Sequence, residues 1–158
     1  MAKFDIETYL LAIETYMKAN LNTYIGNLNT EKNDSITLST VSNDAYFLQT
    51  LNDRVANFDP YILLAIDDIQ GQGIGPGVVK TLVFTAVIVV ADQSMDLLIG
   101  RRMLRYGRVL EDLFNDGFGK IIQGATFKIN SLVPIAITSV NSNDPFRAIG
   151  VEIVSQLG

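Results

Sequence analysis

The stretch Thr81–Asp92, TLVFTAVIVVAD, alternates like a β-strand yet is apolar at both parities. Leu82, Phe84, Ala86, Ile88 and Val90 fall on one side, and Val83, Val87, Val89 and Ala91 on the other, with Thr81 and Thr85 as the polar members. Successive side chains point to opposite faces of a sheet, so both faces of this strand are expected to lie out of water. Tyr61–Ile69 reads as a second strand, and the glycine-rich run Gly71–Gly77 joins the two as a hairpin with a flexible tip. Two more strands are expected near Ala125–Ser139, where Pro134 marks an edge or a bulge, and near Phe146–Val154, with the turn cluster Asn141–Pro145 between them.

Helical spacing appears twice. After Asp5, a suitable N-cap, the residues Ile6, Tyr9, Leu10, Ile13, Tyr16, Met17, Leu21 and Tyr24 fall on one arc, and Gly26–Asn27 supplies a stop signal. From Ser94 to about Asn115, a second stripe runs through Met95, Ile99, Met103, Tyr106, Leu110 and Leu113. Residues 28–59 carry little regular signal beyond a weak alternation at Ile36 and Leu38 and a possible short helix over Asn43–Leu51. A segment of that length reads as irregular or mobile, or as an arm gripping a neighbour. The order α-β-β-α-β-β predicts one α+β domain over residues 1–158, with a mainly antiparallel sheet of about four strands and both helices on one face. The other sheet face would then be covered by a second copy of the chain.

Composition narrows the chemistry. The 158 residues suffice for one core, and 48% hydrophobic against 18% charged residues suits a subunit that hides surface in an assembly. A net charge of −5 argues against strong unspecific nucleic-acid binding, which needs a basic surface. Cysteine and histidine are absent, which removes thiol nucleophiles, Fe–S ligation and the commonest general base and zinc ligand. No cofactor is expected. The N-terminus lacks an apolar signal region and the longest apolar run is too short to span a bilayer, so the chain is expected to be made in the cytoplasm and to bind no membrane.

Three groups invite a functional reading. The loop holding Gly71, Gly73, Gly75 and Gly77 has neither phosphate-binding spacing nor a following helix, so a hairpin tip is the simpler assignment. Asp67 and Asp68, with Asp92 and Asp96, could hold Mg²⁺ for a nuclease, but no Glu-x-Lys step accompanies them and solvated strand and helix ends explain them well. Arg101, Arg105 and Arg108 form a narrow stripe on the second helix, opposite Met103 and Leu110. Either they face solvent, or they pair with acids of a neighbouring subunit, flanked by apolar residues such as Leu104.

The first helix, the hairpin strand TLVFTAVIVVADQ, the arginine-bearing RRMLRYGRVLEDLF and the closing PFRAIGVEIV follow an order that resembles phage tail-terminator (tail-completion) proteins. The likeness is architectural and runs from Asp5 to Val154, leaving out residues 28–59. It implies a non-enzymatic virion subunit that forms a hexameric ring at the head-proximal end of the tail tube and stops tube polymerisation. The partners implied are the tail tube protein, the head connector or neck protein and the sheath, with DNA passing through the pore unbound. In this reading Arg101, Arg105, Arg108, Leu104, Val83 and Val87 face other subunits, while Gly71, Gly73, Gly75, Gly77, Phe146 and Arg147 meet tube or connector. A neck or head-completion subunit is the alternative within the same class. A Mg²⁺-dependent nuclease using Asp67 and Asp68, or an oligomeric ligand-binding module, stands outside it.

Overall fold

A computed structural model describes residues 6–48, 59–72, 79–91, 98–117, 125–137 and 146–157. The chain is an α+β fold. Its elements are α1 (Ile6–Lys32), β1 (Tyr46–Leu48), β2 (Tyr61–Gln72), β3 (Val79–Ala91), α2 (Ile99–Gly117), β4 (Ala125–Ile137) and β5 (Phe146–Leu157). The strands form one five-stranded sheet in the order β1-β2-β3-β5-β4. All pairings are antiparallel except that of β1 with β2, so the sheet is mixed. β4 lies at an edge, which suits Pro134, since proline has no N–H to donate to a neighbouring strand.

α1 crosses the sheet face that carries Phe84. Tyr9 meets the Phe84 ring edge-on, and its hydroxyl shares a 2.5 Å hydrogen bond with Ser155 on β5. Ile13, Met17, Leu21 and Ile25 continue this buried stripe at four-residue steps. Each such side chain contributes about 1.5–3 kcal/mol by leaving water. α2 runs antiparallel beside α1. Tyr16 donates to the Leu113 carbonyl (2.7 Å), Tyr24 to Asp116 (2.5 Å), and Arg108 reaches back to Glu31. The apolar stripe expected on α2 is buried at Met103, Tyr106, Leu110 and Leu113.

Three expectations are corrected. α1 continues past Gly26–Asn27 to Lys32, because Gly26 sits on an exposed helix face where it needs no special conformation. The stop lies at Asn33, whose φ of 44° is left-handed and whose N–H returns to the Asn29 carbonyl (3.0 Å). Over Asn43–Leu51 the described part holds the strand Tyr46–Leu48 rather than a helix.

The third correction concerns the second sheet face. Tyr61, Leu63, Val87, Val89 and Ala148 lie on the face opposite Phe84, and all are buried within a single copy. The chain covers both sides of its central strands by itself. A second copy is not needed to hide Val87.

Residues 34–45 are ordered by α1 itself. The Asn29 amide donates to the Leu38 carbonyl (3.0 Å) and accepts from the Leu38 N–H (2.9 Å). Two turns earlier, Asn22 makes the same pair with Val41 (2.9 and 2.8 Å). Two carboxamides seven residues apart thus imitate a strand edge and hold an extended strap along the helix. Ile36, Leu38 and Val41 are buried beneath it.

Candidate assembly surfaces

The arginine stripe on α2 faces the junction of α1 and the strap. Arg105, only 8% exposed, donates from Nη1 and Nη2 to the two carboxylate oxygens of Asp34 (2.9 and 2.5 Å), and again from Nη1 to the Ile36 carbonyl (2.8 Å). Asp34 also accepts from the Ile36 N–H (3.0 Å), so one carboxylate organises both the turn and the guanidinium. Arg108 forms a two-pronged pair with Glu31 (2.6 and 3.0 Å) and lies 3.6 Å from Asp112. Arg101, mostly exposed, reaches Asp34 at 3.9 Å.

These acids change the assignment of the stripe. Arg105 serves the fold of its own chain, and its expected place between subunits is withdrawn, since the side chain is buried against Asp34 and Ile36 of the same chain. Arg108 is half-exposed and shares its charge between solvent and Glu31. Arg101 and Leu104 face outward, with Leu104 67% exposed. Lys32 joins them around a shallow depression that Arg101, Leu104, Arg105 and Arg108 line. The outward edge of α2 therefore presents Leu104 among cations, of which Arg101 and Arg108 are paired with Asp34, Glu31 and Asp112 beside them.

The Arg105 guanidinium holds the Asp34 carboxyl well below the usual carboxylate range, with the Ile36 N–H adding to the effect. A depressed folded-state pKa contributes stability above the unfolded value, 3.8, which is lost as pH falls through the folded value. Replacing Asp34 with Asn is therefore expected to destabilise the protein at neutral pH and to lose that effect progressively in acid. Urea midpoints at pH 7 and at successively lower pH test this. A gap between wild type and D34N that stays constant with pH would contradict the linkage.

A second surface lies on β2. Its register against β3 shifts between Ile66 and Asp68, and from Ile66 to Gly71 its residues are exposed. Ile66 and Ile69 are each 48% exposed, which is unusual for side chains of this kind on a strand. Thr85 donates to Asp67 (2.5 Å) and Gln70 to Asp68 (2.7 Å). β1 pairs only with Ile62, Leu63 and Leu64, so among the described residues the outer edge of β2 has no strand beyond that point.

Gly71 belongs to this exposed strand end, while Gly73, Gly75 and Gly77 lie outside the described residues, as do Asp92 and Asp96. Phe146 and Arg147 open β5 with their backbones paired to β3 and β4, and their side chains are outside the described set. Val83 is half-buried and Val87 fully buried. Among the described residues, no group of three or more His, Cys, Asp or Glu stands ready to hold a metal ion. No described helix is long and apolar enough to cross a membrane.

Sequence reasoning missed Asp34 and Glu31 as the arginines' partners. Nothing local links residues some seventy positions apart, although both acids stand in the polar stretch that follows the periodic part of α1. No protein-family model matches the chain, and no curated protein matches it at a significant level.

Proposed function

We propose that the chain is a structural subunit of the ring at the head-proximal end of a phage tail tube, where it ends tube polymerisation and joins the tail to the head connector. The observation that carries this reading is the exposed apolar–basic edge of α2, Arg101, Leu104 and Arg108, on a subunit whose core is complete in one copy. Surfaces that associate reversibly combine an apolar centre with a polar rim, whereas obligate interfaces resemble a core cut in half. This chain has the first kind. It suits a subunit that folds alone and assembles on meeting the tube. The order of the main elements, β1 apart, resembles that of tail terminators, and a neck subunit of similar build is the nearest alternative.

Light scattering behind a sizing column, followed by negative-stain imaging, tests the proposal. At the highest attainable concentration, or with assembled tail tubes added, closed hexameric rings with a wide pore are expected. A compact monomer under both conditions would count against the function.

A further inference from the structure

We infer a specific contact between copies: the bare end of β2 in one subunit, Ile66–Gly71, pairs antiparallel with the β4 edge, Ala125–Ile129, of the next. One sheet then runs on through both. The inference deepens the ring reading and rests on it for the closure of the assembly.

The two edges of the sheet are bare at the same level. β1 covers β2 only at Ile62, Leu63 and Leu64, and from Ile66 to Gly71 the strand is exposed. Followed across the sheet, the register puts Ile62 in one row with Ile88, Ile149 and Pro134. The half of β4 that proline interrupts is therefore level with the half of β2 that β1 covers. In the other half, Ile66, Ile69 and Gly71 share rows with Ile129, Phe127 and Ala125.

Backbone polarity agrees row by row. The Ile62 N–H points out of the sheet edge, to the Ala45 carbonyl (2.8 Å). Along an antiparallel strand, residues alternate between bonding one neighbour and the other. Carried across the sheet, this alternation turns the Pro134 nitrogen outward, where a missing N–H costs the β4–β5 ladder nothing. It also turns outward the N–H and C=O of Ile66, Ile69 and Gly71 on β2, and of Ile129, Phe127 and Ala125 on β4. These two strands run in opposite directions. Laid edge to edge, their matching rows are the bonded pairs of an antiparallel ladder, each exchanging two hydrogen bonds.

Directly opposed residues share a face of the sheet. The pairing sets Ile66 and Ile69, both exposed in one copy, beside Ile129 and Phe127 of the next. On the other face it sets Asp68 opposite Lys128, residues that share a row through Val83 and Val154. Acids on a bare edge discourage indiscriminate strand pairing, and a lysine in the facing row selects the strand that is admitted. Within one chain the two edges stand three strand spacings apart, about 14 Å, so the contact joins different copies. A contact between unlike edges propagates head to tail and gives a ring when the rotation closes.

The absence of cysteine allows a clean test. Gln70 and Thr126 share a non-bonded row on the face of Asp68 and Lys128, and opposed β-carbons approach closest in such rows. Oxidised at the highest attainable concentration, Q70C/T126C is expected to give a ladder of disulfide-linked oligomers on a denaturing gel. Either single variant should give only monomer. Adding K128E should reduce the ladder at least tenfold, and D68K in the same chain should restore it. Ile69→Pro gives an independent reading without cysteines. It removes an outward N–H that the β2–β3 ladder does not use, so the folded protein should fall to monomer mass by light scattering. A folded double variant that stays monomeric, a single variant that links to itself, a ladder indifferent to K128E, or an oligomer unchanged by I69P would overturn the assignment. Rings by negative stain without this linkage would reject the contact and leave the proposed function standing. Linkage within open filaments would support the contact and reject the ring.

Discussion

Replacing both Asn22 and Asn29 with alanine is expected to lower the unfolding free energy by about 3–5 kcal/mol, because four hydrogen bonds to the backbone of the strap are lost together. Each alanine leaves an N–H and a carbonyl of a buried residue, Leu38 or Val41, without its partner. Against a typical total of about 5–15 kcal/mol, such a loss is severe. Urea unfolding measures the total, and hydrogen exchange at the Leu38 and Val41 amides locates it. Asn29→Asp offers a graded comparison. Aspartate still accepts from the Leu38 N–H but cannot donate to the Leu38 carbonyl, so it should cost less than alanine. A loss below about 1 kcal/mol in the double variant would mean that the buried Ile36, Leu38 and Val41 side chains hold the strap without the carboxamides.

Gly150→Val is expected to cost about 3 kcal/mol or more, at the upper end of what overpacking does in a filled core. A β-carbon at this position would stand 2.6 Å from the Thr85 methyl and 3.1 Å from a Val87 methyl. Both neighbours are buried, and Thr85 cannot simply turn its methyl aside. Its hydroxyl donates to Asp67, and rotation would break that bond. Alanine should already cost about 1–3 kcal/mol. Thr85→Ser removes the offending methyl and keeps the hydroxyl, so it should recover much of the Gly150→Ala loss. Thermal unfolding of the two single variants and the double variant decides this. Additive losses would place the strain elsewhere.

The parts of the fold that repeat along the chain were legible in it. Alternation located β2 through β5 to within a few residues, and helical spacing found the buried stripes of α1 and α2. Where the signal failed, the governing contacts were distant or unusual. Gly26 reads as a stop because glycine often ends helices, yet an exposed glycine merely weakens one, by about 1 kcal/mol relative to alanine. The strap showed only a faint alternation at Ile36 and Leu38, because its backbone partners are two side chains on a helix and not another strand. The double apolarity of β3 was read correctly as burial on both faces. Its cause was misassigned, since sequence cannot distinguish cover supplied by the same chain from cover supplied by a neighbour. The arginine stripe was visible for the same reason that its partners were not. Spacing places Arg101, Arg105 and Arg108 on one line, but only the fold brings Asp34 to meet them.

The position of β5 has a consequence for how the chain is made. Among the described strands it is the last in sequence and yet lies inside the sheet, between β3 and β4. While a ribosome is still extending the chain, those two strands each present a bare edge thirteen residues long, open to mispairing with other nascent chains. The hydroxyl of Tyr9 likewise waits for Ser155, 146 residues later. Early elements can form during synthesis, but the domain closes only when β5 slots between its neighbours. Such late, long-range closure makes folding slow and leaves the earlier strands dependent on chaperones until β5 has been made.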